Sequence, residues 1–540
     1  MKNTDTIRAA DAVARRLYDA GCRHAFGMPG GEVLTLVDAL EAAGIAFVLC
    51  KHENAAGFMA EAAWHQTGAP GVLVATIGPG VLNGVNSIAN AHQDRVPLIV
   101  LSGCVDAAEA ETYTHQVLDH QAVLNPITKA TFRLSAGAAH VIADKAVSIA
   151  LEGRPGPVHI DVPISTADAQ TSGAPPAPRT PAAATAPAGD ALGSAQDWLS
   201  DATRPVMIVG LDAMNKNAGE AITTFANRFN IPVITSYKAK GLLPEDHPLS
   251  LGAAGLSPRA DRHLVPFIQS ADLILCVGYD PIEMRPGWRD IWDARITRVI
   301  DITAVPNHHY MHQASLNIIA DCVASLSAIG AEVAPQQTWQ GDAIAALKSE
   351  LAAAFPRSED WGPAAIIDTC QQHLPADTLA TADSGAHRIL LSQMWRCTAP
   401  RGLLQSSALC TMGCALPLAM GTALCAPDRT VVSFSGDAGF LMIAGELSTA
   451  AELDIKPIFV VFVDTSLALI ELKQRQRQLR NAAVDFGQHD FAAMGRAFGG
   501  AGHTVQTRAE LEAALQTAQT ADTFTVIACV IERGAYDGRI

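Results

Sequence analysis

At 540 residues the chain is too long for a single hydrophobic core, and we expect roughly two to four domains. A composition of 49% hydrophobic and 17% charged residues is that of a globular protein and excludes disordered and fibrous classes. The formal net charge of −16 argues against nucleic-acid partners, which require a basic surface.

The N-terminal segment MKNTDTIRAADAVARRLYDAG lacks the apolar core of a signal peptide and predicts a first amphipathic helix. No stretch approaches 18 uninterrupted apolar residues, so we expect no membrane span and no membrane partner. The 11 cysteines are scattered without a CxxC pair, which indicates reduced thiols in a cytoplasmic protein. Core packing is the expectation for each of them, including Cys410 and Cys414.

Two breaks divide the chain. The stretch from Thr166 to about Asp190 is rich in Ala, Pro, Ser and Thr and predicts an extended linker. A weaker break lies between Gly330 and Trp339. The resulting divisions are 1–165, the linker 166–189, 190–332 and 345–540.

Each division alternates short apolar, β-branched runs with amphipathic helical stretches. This alternation predicts an α/β protein of three doubly wound domains with parallel sheets. The predicted strands are 46–50, 71–78, 97–103, 205–210, 232–236, 273–278, 430–437, 457–464 and 524–532. Because ligands of such sheets bind beyond the carboxyl ends of the strands, residues that end a strand are the first candidates for a site.

Two strands of the third division end in an acid. TVVSFSGD ends at Asp437 and precedes a predicted helix over 441–453, and PIFVVFVD ends at Asp464. The separation, 464 − 437 = 27 residues, fits one strand–helix–strand crossover, so both carboxylates would share one sheet edge. Together they could hold Mg²⁺, and Gly436 and Gly439 leave backbone N–H groups free for a phosphate. The alternative is that Gly-Asp is a common end of a strand and that Asp464 caps a loop.

These residues resemble the thiamine-diphosphate enzyme family. In the first division the segments 27–40, 51–62 and 76–103 resemble its pyrimidine-binding domain. In the third, the segments 384–395, 404–421 and 436–453 resemble its diphosphate-binding domain. The segments 278–283 and 484–499 are similar to catabolic acetolactate synthases that work without FAD. The resemblance therefore implies thiamine diphosphate and Mg²⁺ as cofactors and no FAD.

The resemblance also implies roles for individual residues. Glu53 would activate the cofactor through its aminopyrimidine ring, Met412 would bend it, and the backbone oxygen of Cys410 would accept its 4′-amino group. The implied contacts of the diphosphate are Gly385, Ala386, His387, Gly436, Asp437, Ala438, Gly439 and Asp464. The implied metal ligands are Asp437, Asp464 and the backbone oxygen of Ser466. His115 and Gln116 match a stretch beside the reacting carbon, and Gly30, Gly31, Gln116 and Lys473 would face the substrate.

Two positions depart from the family on the substrate side. Glu32 stands where catabolic acetolactate synthases carry Lys, and Lys473 stands where relatives carry Trp or Gln. In a helix, Ile470, Lys473 and Gln474 would share one face. Our hypothesis is that Lys473 supplies the cation for a substrate carboxylate or another anion; the alternative is that it belongs to a solvated basic helix. We interpret GPGVLNG (78–84) as a turn lining the cofactor cleft rather than a dinucleotide fingerprint.

The implied reaction is decarboxylation of a 2-oxoacid with carboligation, which for two pyruvates yields acetolactate and CO₂. A non-ligating 2-oxoacid decarboxylase, a C–C lyase on another anionic substrate and a catalytically silent binding subunit are the alternatives. The resemblance implies a homodimer as the active unit, with the Glu53 domain of one subunit facing the Asp437 domain of the other. A homotetramer is the expected assembly.

Overall fold

The structure of the chain is a computed structural model that describes residues 6–171, 174–177, 179–180 and 182–540. It contains three six-stranded sheets in which all paired strands are parallel, and helices lie against each sheet. The predicted α/β architecture of three doubly wound domains is confirmed. Within the described ranges no helix has the length and apolar character needed to cross a bilayer.

The first domain has the strand order β3-β2-β4-β5-β7-β6. Strands β4 and β5 are buried along their whole length, as expected for a sheet covered on both faces. The elements are β1 Ile7–Arg8, α1 Ala9–Asp19, β2 His24–Met28, α2 Leu34–Ala42, β3 Ala46–Leu49, α3 Glu53–Thr67, β4 Gly71–Ala75, α4 Pro79–Gln93, β5 Leu98–Cys104, α5 His120–Leu124, β6 Ala130–Arg133, α6 Ala139–Leu151, β7 Val158–Pro163, α7 Ile164–Asp168 and β8 Gln170–Thr171.

The linker does not begin where the composition placed it. Thr166 lies inside α7, and the strand β8 that follows pairs antiparallel with β1 through Ile7 and Thr171. The predicted start at residue 166 is therefore wrong, because a hydrogen-bonded partner far away in sequence orders this segment. Ser172, Gly173, Pro178 and Pro181 of the predicted linker lie outside the described residues.

The middle domain follows the linker and has the strand order β11-β10-β9-β12-β13-β14. Its first strand, β9, is central and wholly buried, and the chain builds outward from it on both sides. The elements are α8 Gly189–Asp201, β9 Pro205–Val209, α9 Leu211–Asn215, α10 Gly219–Phe229, β10 Val233–Ser236, β11 Ser250–Ala254, α11 Pro258–Gln269, β12 Leu273–Val277, β13 Arg298–Thr303, β14 Leu316–Ile319 and α12 Cys322–Ala331.

The third domain has the order β16-β15-β17-β18-β20-β19. The chain reverses direction across the sheet between β15 and β17, so a crevice opens there at the carboxyl ends. The elements are α13 Ala343–Ala354, α14 Pro363–His373, β15 Leu379–Ala382, α15 Ala386–Met394, β16 Leu403–Gln405, α16 Ala415–Cys425, β17 Val431–Gly436, α17 Asp437–Leu441, α18 Leu447–Glu452, β18 Ile458–Val463, α19 Ala468–Gln476, α20 Phe491–Ala497, β19 Ala501–Val505, α21 Arg508–Gln519 and β20 Thr525–Val530.

The helix predicted over 441–453 is interrupted. Helix α17 ends at Leu441, a 3₁₀ turn covers Ala444–Glu446, and α18 completes the crossover. The carboxylate of Glu446 accepts hydrogen bonds from the Lys51 backbone and the Thr449 hydroxyl. The hydrogen bond from Lys51 of the first domain lies at the 3₁₀ turn between α17 and α18. The local apolar pattern does not reveal this contact or the interruption of the helix.

The first and third domains pack through α3 and α16. A Cβ atom at Gly421 of α16 would lie 2.5 Å from the backbone oxygen of Met59, so only glycine permits this close approach. Side chains from both helices share one buried apolar cluster. The packing fixes the orientation of α3, which begins at Glu53, relative to the third sheet.

Candidate active site

A cleft of about 550 Å³ lies at the carboxyl end of the third sheet. Because β15, β17 and β18 are adjacent and parallel, the residues that follow them meet at the same edge. The third-domain residues predicted for the site all line this cleft: Gly385, Ala386, His387, Cys410, Met412, Gly436, Asp437, Ala438, Gly439, Asp464, Ser466 and Lys473. The structure therefore brings together every member of the site predicted in this domain.

Asp437 is buried and joins the ends of β17 and β18. One of its oxygens accepts the backbone N–H groups of Asp464 (3.1 Å) and Thr465 (2.8 Å), and the other accepts that of Ala438 (2.8 Å). Asp464 accepts the backbone N–H of Ser466 at 3.2 Å. The two carboxylates are thus held in one place by backbone groups rather than by side chains that rotate freely.

The acid pair is electrostatically unfavourable without a cation. Burial, and after it the negative charge of Asp437, raises the pKa of Asp464 to about 7. Burial also raises the pKa of Asp437. Oxygen ligands held close together in this way suit a hard divalent cation, which would offset both charges. The residues present therefore fit a magnesium ion.

Polar groups without partners face the same cleft at the start of α15. Ser384 Oγ and His387 Nε2 are buried and have no hydrogen-bond partner in the described part of the chain. Burial, and then the charge of Arg388, lowers the pKa of His387 to about 3, so its ring is neutral at physiological pH. Two unpaired polar groups beside a nine-residue helix that begins at Ala386 fit an anionic group such as a diphosphate.

Glu53 occupies a second cluster, in the first domain. It is only 4% exposed, and its carboxylate accepts a hydrogen bond from Asn83 Nδ2 at 3.0 Å. The stretch 78–84 predicted as a turn is helical from Pro79 onward, so that prediction is wrong except at Gly78. The first turn of α4 approaches the carboxylate of Glu53 closely, because a Cβ atom at Gly80 would lie 3.1 Å from Glu53 Oε1.

The predicted residues of the segment before α5 are exposed. His115 and Gln116 are both solvent-accessible, and Gln116 has a left-handed backbone (φ 59°). The backbone oxygen of Gln116 would lie 2.5 Å from a Cβ atom at Gly78. His120 Nε2 accepts the Gly78 N–H at 3.0 Å, and His120 Nδ1 bonds Asp161 at 2.8 Å. This fixed histidine therefore positions the turn against which Gln116 lies.

Gly30 and Gly31 follow β2, at the switch point of the first sheet. A Cβ atom at Gly30 would collide with Thr76 Oγ1 at 2.2 Å, whereas Gly31 has open space around it. Thr76 also donates a hydrogen bond of 2.6 Å to Glu32 Oε2, so the acid that departs from the family has a partner in its own domain. None of Glu53, His115, Gln116, Gly30 and Gly31 lines the third-domain cleft within the described chain. The site residues predicted in the first domain and those predicted in the third therefore form two separate groups in one chain.

Three sequence models of one family match the chain in the order of its domains. They are described as the N-terminal, central and C-terminal domains of thiamine pyrophosphate enzymes, and they match residues 7–123, 192–329 and 383–529. The chain belongs to the thiamine pyrophosphate enzyme family. The recognition made from the motifs is confirmed, and the protein is a thiamine-diphosphate-dependent enzyme of the lyase or transferase type.

Three relatives match this chain over nearly its whole length. Acetolactate synthase of Bacillus subtilis is 30% identical over 530 residues, which is 95% of this chain and 91% of the relative. The catabolic acetolactate synthase of Raoultella terrigena is 28% identical over 97% of this chain and 95% of its own. A Pseudomonas aeruginosa protein named "Probable 2-ketoarginine decarboxylase" is 31% identical over 95% of this chain and 92% of its own.

Asp383 lies directly before the cleft residue Ser384, behind the cleft lining, and the sequence analysis missed it. It follows β15, is fully buried, and accepts the backbone N–H groups of Ser384 (2.9 Å), Gly413 (3.0 Å) and Cys414 (3.2 Å). Burial raises its pKa to about 6 against these backbone donors. A Cβ atom at Gly439 would lie 2.0 Å from its carboxylate, which gives this glycine a packing role in addition to the predicted phosphate role. The signal was available, since LATAD is a third strand ending in an acid.

The segment 406–412 contains a second correction. Cys410 is exposed in the cleft with a left-handed backbone (φ 55°), so the expectation of core packing is wrong for this cysteine. The left-handed turn directs its side chain away from the core, and Arg388 Nη2 donates to its sulfur at 3.1 Å. The expectation is confirmed for Cys414, which is fully buried. Arg388, itself 4% exposed, was also missed.

Lys473 differs from Arg475, the other basic residue of α19. It is exposed and lines the cleft, and no carboxylate of the described chain lies within salt-bridge distance of its ammonium group. Arg475, in contrast, pairs with Asp537. Arg285 of the middle domain lines the same cleft, with its Nε 2.6 Å from Asp261. The cleft lining thus contains the basic side chains of Lys473 and Arg285 in addition to the acid pair.

The contacts of Asp383 predict the effect of Asp383→Ala. The substitution leaves the backbone N–H groups of Gly413 and Cys414 without their acceptor, and we expect a loss of about 2–3 kcal/mol of stability. The fall in the midpoint of thermal unfolding of the cofactor-free variant, relative to the wild-type protein, measures this loss of stability. Asp490→Ala removes an exposed helix cap and should cost only about 1 kcal/mol. Equal losses for both variants would contradict the structural role of Asp383.

Proposed function

We propose that the protein decarboxylates a 2-oxoacid with the help of thiamine diphosphate and Mg²⁺, and joins the remaining fragment to an acceptor carbonyl. With two pyruvates the products are acetolactate and CO₂. The single observation that carries the proposal is the presence of the Asp437–Asp464 pair and the unpartnered Ser384 and His387 in one cleft. The acetolactate synthases among the relatives support the reaction class.

In this proposal different groups of cleft residues bind the metal, the diphosphate and the aminopyrimidine of the cofactor. Asp437, Asp464 and the backbone oxygen of Ser466 hold Mg²⁺. The diphosphate lies against Gly385, Ala386, His387, Gly436, Ala438 and Gly439. Met412 and the backbone oxygen of Cys410 hold the aminopyrimidine end. When bound, the cofactor supplies an electron sink for cleavage and formation of carbon–carbon bonds next to a carbonyl.

The remaining groups come from the first domain of a second subunit. Glu53 of that domain holds the proton exchanged with the aminopyrimidine, and His115 and Gln116 border the substrate together with Gly30 and Gly31. One support is that the site residues predicted in the first domain do not line the third-domain cleft of the same chain. A second is the exposure of apolar side chains in both domains, namely Leu34 in the first (62% exposed) and Met442 in the third (64% exposed). A homodimer is therefore the proposed active unit, and a homotetramer the proposed assembly.

We place the enzyme in the cytoplasm and assign it no flavin. All 11 cysteines are free, which suits a reducing compartment. The crevice of the middle sheet, where a nucleotide would be expected, is bordered by ion pairs of Arg154 with Asp212 (2.9 Å) and of Arg95 with Asp280 (3.2 Å). These pairs occupy the edge that a flavin nucleotide would need.

The substrate we favour is anionic. Lys473 is without a carboxylate partner in the described chain, while both acids of the cleft are assigned to the metal. A 2-oxoacid with a cationic side chain would be repelled by Lys473 and Arg285. The non-ligating decarboxylase and the lyase on another anionic substrate share this cleft chemistry; the decarboxylase differs in its products, and the lyase in both substrate and products. A catalytically silent binding subunit is disfavoured because Glu53, Asp437 and Asp464 are all present.

The reaction itself is tested with a panel of 2-oxoacids, starting with pyruvate, in the presence of thiamine diphosphate and Mg²⁺. We expect CO₂ release matched by ketol formation, and loss of both in Asp464→Asn, because the amide removes one charge from the metal site. Release of CO₂ with an aldehyde as the only organic product would indicate the non-ligating decarboxylase. Absence of turnover and of cofactor binding would indicate the silent subunit.

Lys473→Met tests the substrate cation. Loss of a charged contact should raise KM for an anionic substrate about tenfold and leave kcat within about twofold. Arg477→Met, four residues further along and outside the cleft lining, is the matched control and should leave both constants unchanged. An unchanged KM in Lys473→Met would show that this lysine is only part of a solvated helix face.

The shared site is tested by mixing two inactive variants, Glu53→Gln and Asp437→Asn. In a mixed dimer one of the two sites receives both native residues, so refolding an equal mixture should restore about a quarter of wild-type activity. Each variant refolded alone should stay inactive. Failure of the mixture to regain activity, with mixed dimers demonstrated by mass, would place Glu53 and Asp437 in the same chain's site.

A further inference from the structure

A buried ion network joins the three domains at Lys238. Its ammonium group lies 3.0 Å from Glu61 Oε1 on α3 and 2.8 Å from Asp94 Oδ2 at the end of α4. The backbone N–H of Lys238 donates to Glu283 Oε1 at 2.8 Å. Glu61 and Asp94 belong to the first domain, whereas Lys238 belongs to the middle domain. All three charged groups are less than a tenth exposed.

The charges of this network depend on one another. Burial alone would raise the pKa of Glu61, but Lys238 and His65 together lower it to about 2. Burial opposes the charge of Lys238, and Asp94 and Glu61 raise its pKa above the ordinary value. Because an unpaired buried charge is strongly unfavourable, the three groups fix each other's positions.

Asp94 connects the ion network to the third domain through hydrogen bonds. Its carboxylate accepts the backbone N–H groups of Ser407 (3.2 Å) and Ala408 (3.1 Å). One turn earlier on α4, Asn90 donates to Glu61 Oε2 at 2.8 Å and accepts from Ser406 Oγ at 2.6 Å. The same helix thus binds the ion network on one side and the segment 406–412 on the other.

The far end of the segment is tied to the same helix. Thr411 Oγ1 donates to Asn86 Oδ1 at 3.1 Å, and the Thr411 N–H donates to Ser406 Oγ at 2.9 Å. Between these anchors Cys410 adopts the left-handed conformation, which a residue with a side chain takes up only when its surroundings impose it. The segment then delivers Met412 to the cleft.

We propose that the Glu61–Lys238–Asp94 network is a positioning device that holds the segment 406–412 in the orientation in which it meets the cofactor. Lys238 is therefore a positioning residue of the middle domain, which acts through Asp94 and does not touch the cofactor. The proposal rests on the cofactor site described under the proposed function. It assigns a part in cofactor binding to Lys238, a middle-domain residue that does not line the cleft.

The test compares Lys238→Met with Lys240→Met. Lys240 is a buried neighbour that pairs with Glu245 at 2.5 Å and donates to the backbone oxygen of Ser392 at 2.9 Å. Within the described residues no hydrogen bond or ion pair joins it to the segment 406–412. Titration calorimetry at saturating Mg²⁺ should show thiamine diphosphate binding weakened about fivefold or more in Lys238→Met. At saturating cofactor, kcat should fall about tenfold or more, with KM for the 2-oxoacid nearly unchanged. Lys240→Met should lower the melting temperature of the cofactor-free protein without changing the dissociation constant of the cofactor.

A second variant covers the case in which Lys238→Met does not fold. Ser406→Ala removes one hydroxyl that joins Asn90 to Thr411, leaves every charge of the network paired, and should weaken cofactor binding in the same direction. Wild-type cofactor affinity in the folded variants, with only the melting temperature lowered, would overturn the proposal. Absence of thiamine diphosphate binding in the wild-type protein would instead refute the cofactor site itself.

Discussion

The site depends on two like charges that neighbouring parallel strands bring to one edge of a sheet. Asp437 and Asp464 follow β17 and β18, whose register leaves their ends no freedom to separate. Backbone N–H groups fasten Asp437, and burial together with mutual repulsion makes the pair unfavourable until a cation offsets it. The buried polar atoms of Ser384 and His387, which have no partner in the described chain, also suit a charged group bound in this cleft.

The same constraint explains why the remaining groups lie elsewhere. The carboxyl edge of the third sheet has room for the metal and the diphosphate, but no acid that could serve the aminopyrimidine lines the cleft in the described residues apart from the metal pair. Glu53 lies at the start of α3, whose other face packs against α16 of its own chain. Glu53 is not part of the cleft lining of its own chain, and this observation is the basis for the proposal that a second subunit completes the site.

Much of this could be predicted from local patterns. The three sheets follow from apolar runs of strand length, and the acid pair follows from two such runs that end in Asp. What could not be predicted depends on contacts between distant segments. Arg388 and Cys410, which are 22 residues apart, are joined by a hydrogen bond that their spacing does not predict. Strand β8, inside the predicted linker, pairs with β1 at the other end of the first domain. Cys410 shows the limit most clearly, since its exposure follows from a backbone conformation that the residue type does not favour.

Asp383 belongs to another class of omission. Strand β15 is followed by an acid, as β17 and β18 are. The carboxylate of Asp383, however, accepts the backbone N–H groups of Gly413 and Cys414 and does not line the cleft that contains Asp437 and Asp464. Spacing along the chain does not distinguish an acid that binds a metal from one that fastens a loop. Only the partners seen in three dimensions separate these two functions.

The most direct measurement is calorimetric titration of thiamine diphosphate into the wild-type protein and into Asp437→Asn, each with and without Mg²⁺. We expect one cofactor bound per chain in the wild-type protein, only when a divalent cation is present, and no comparable binding in the variant. Equal affinity with and without the cation, or retained affinity in Asp437→Asn, would contradict the proposed role of Asp437 and a divalent cation in holding the diphosphate.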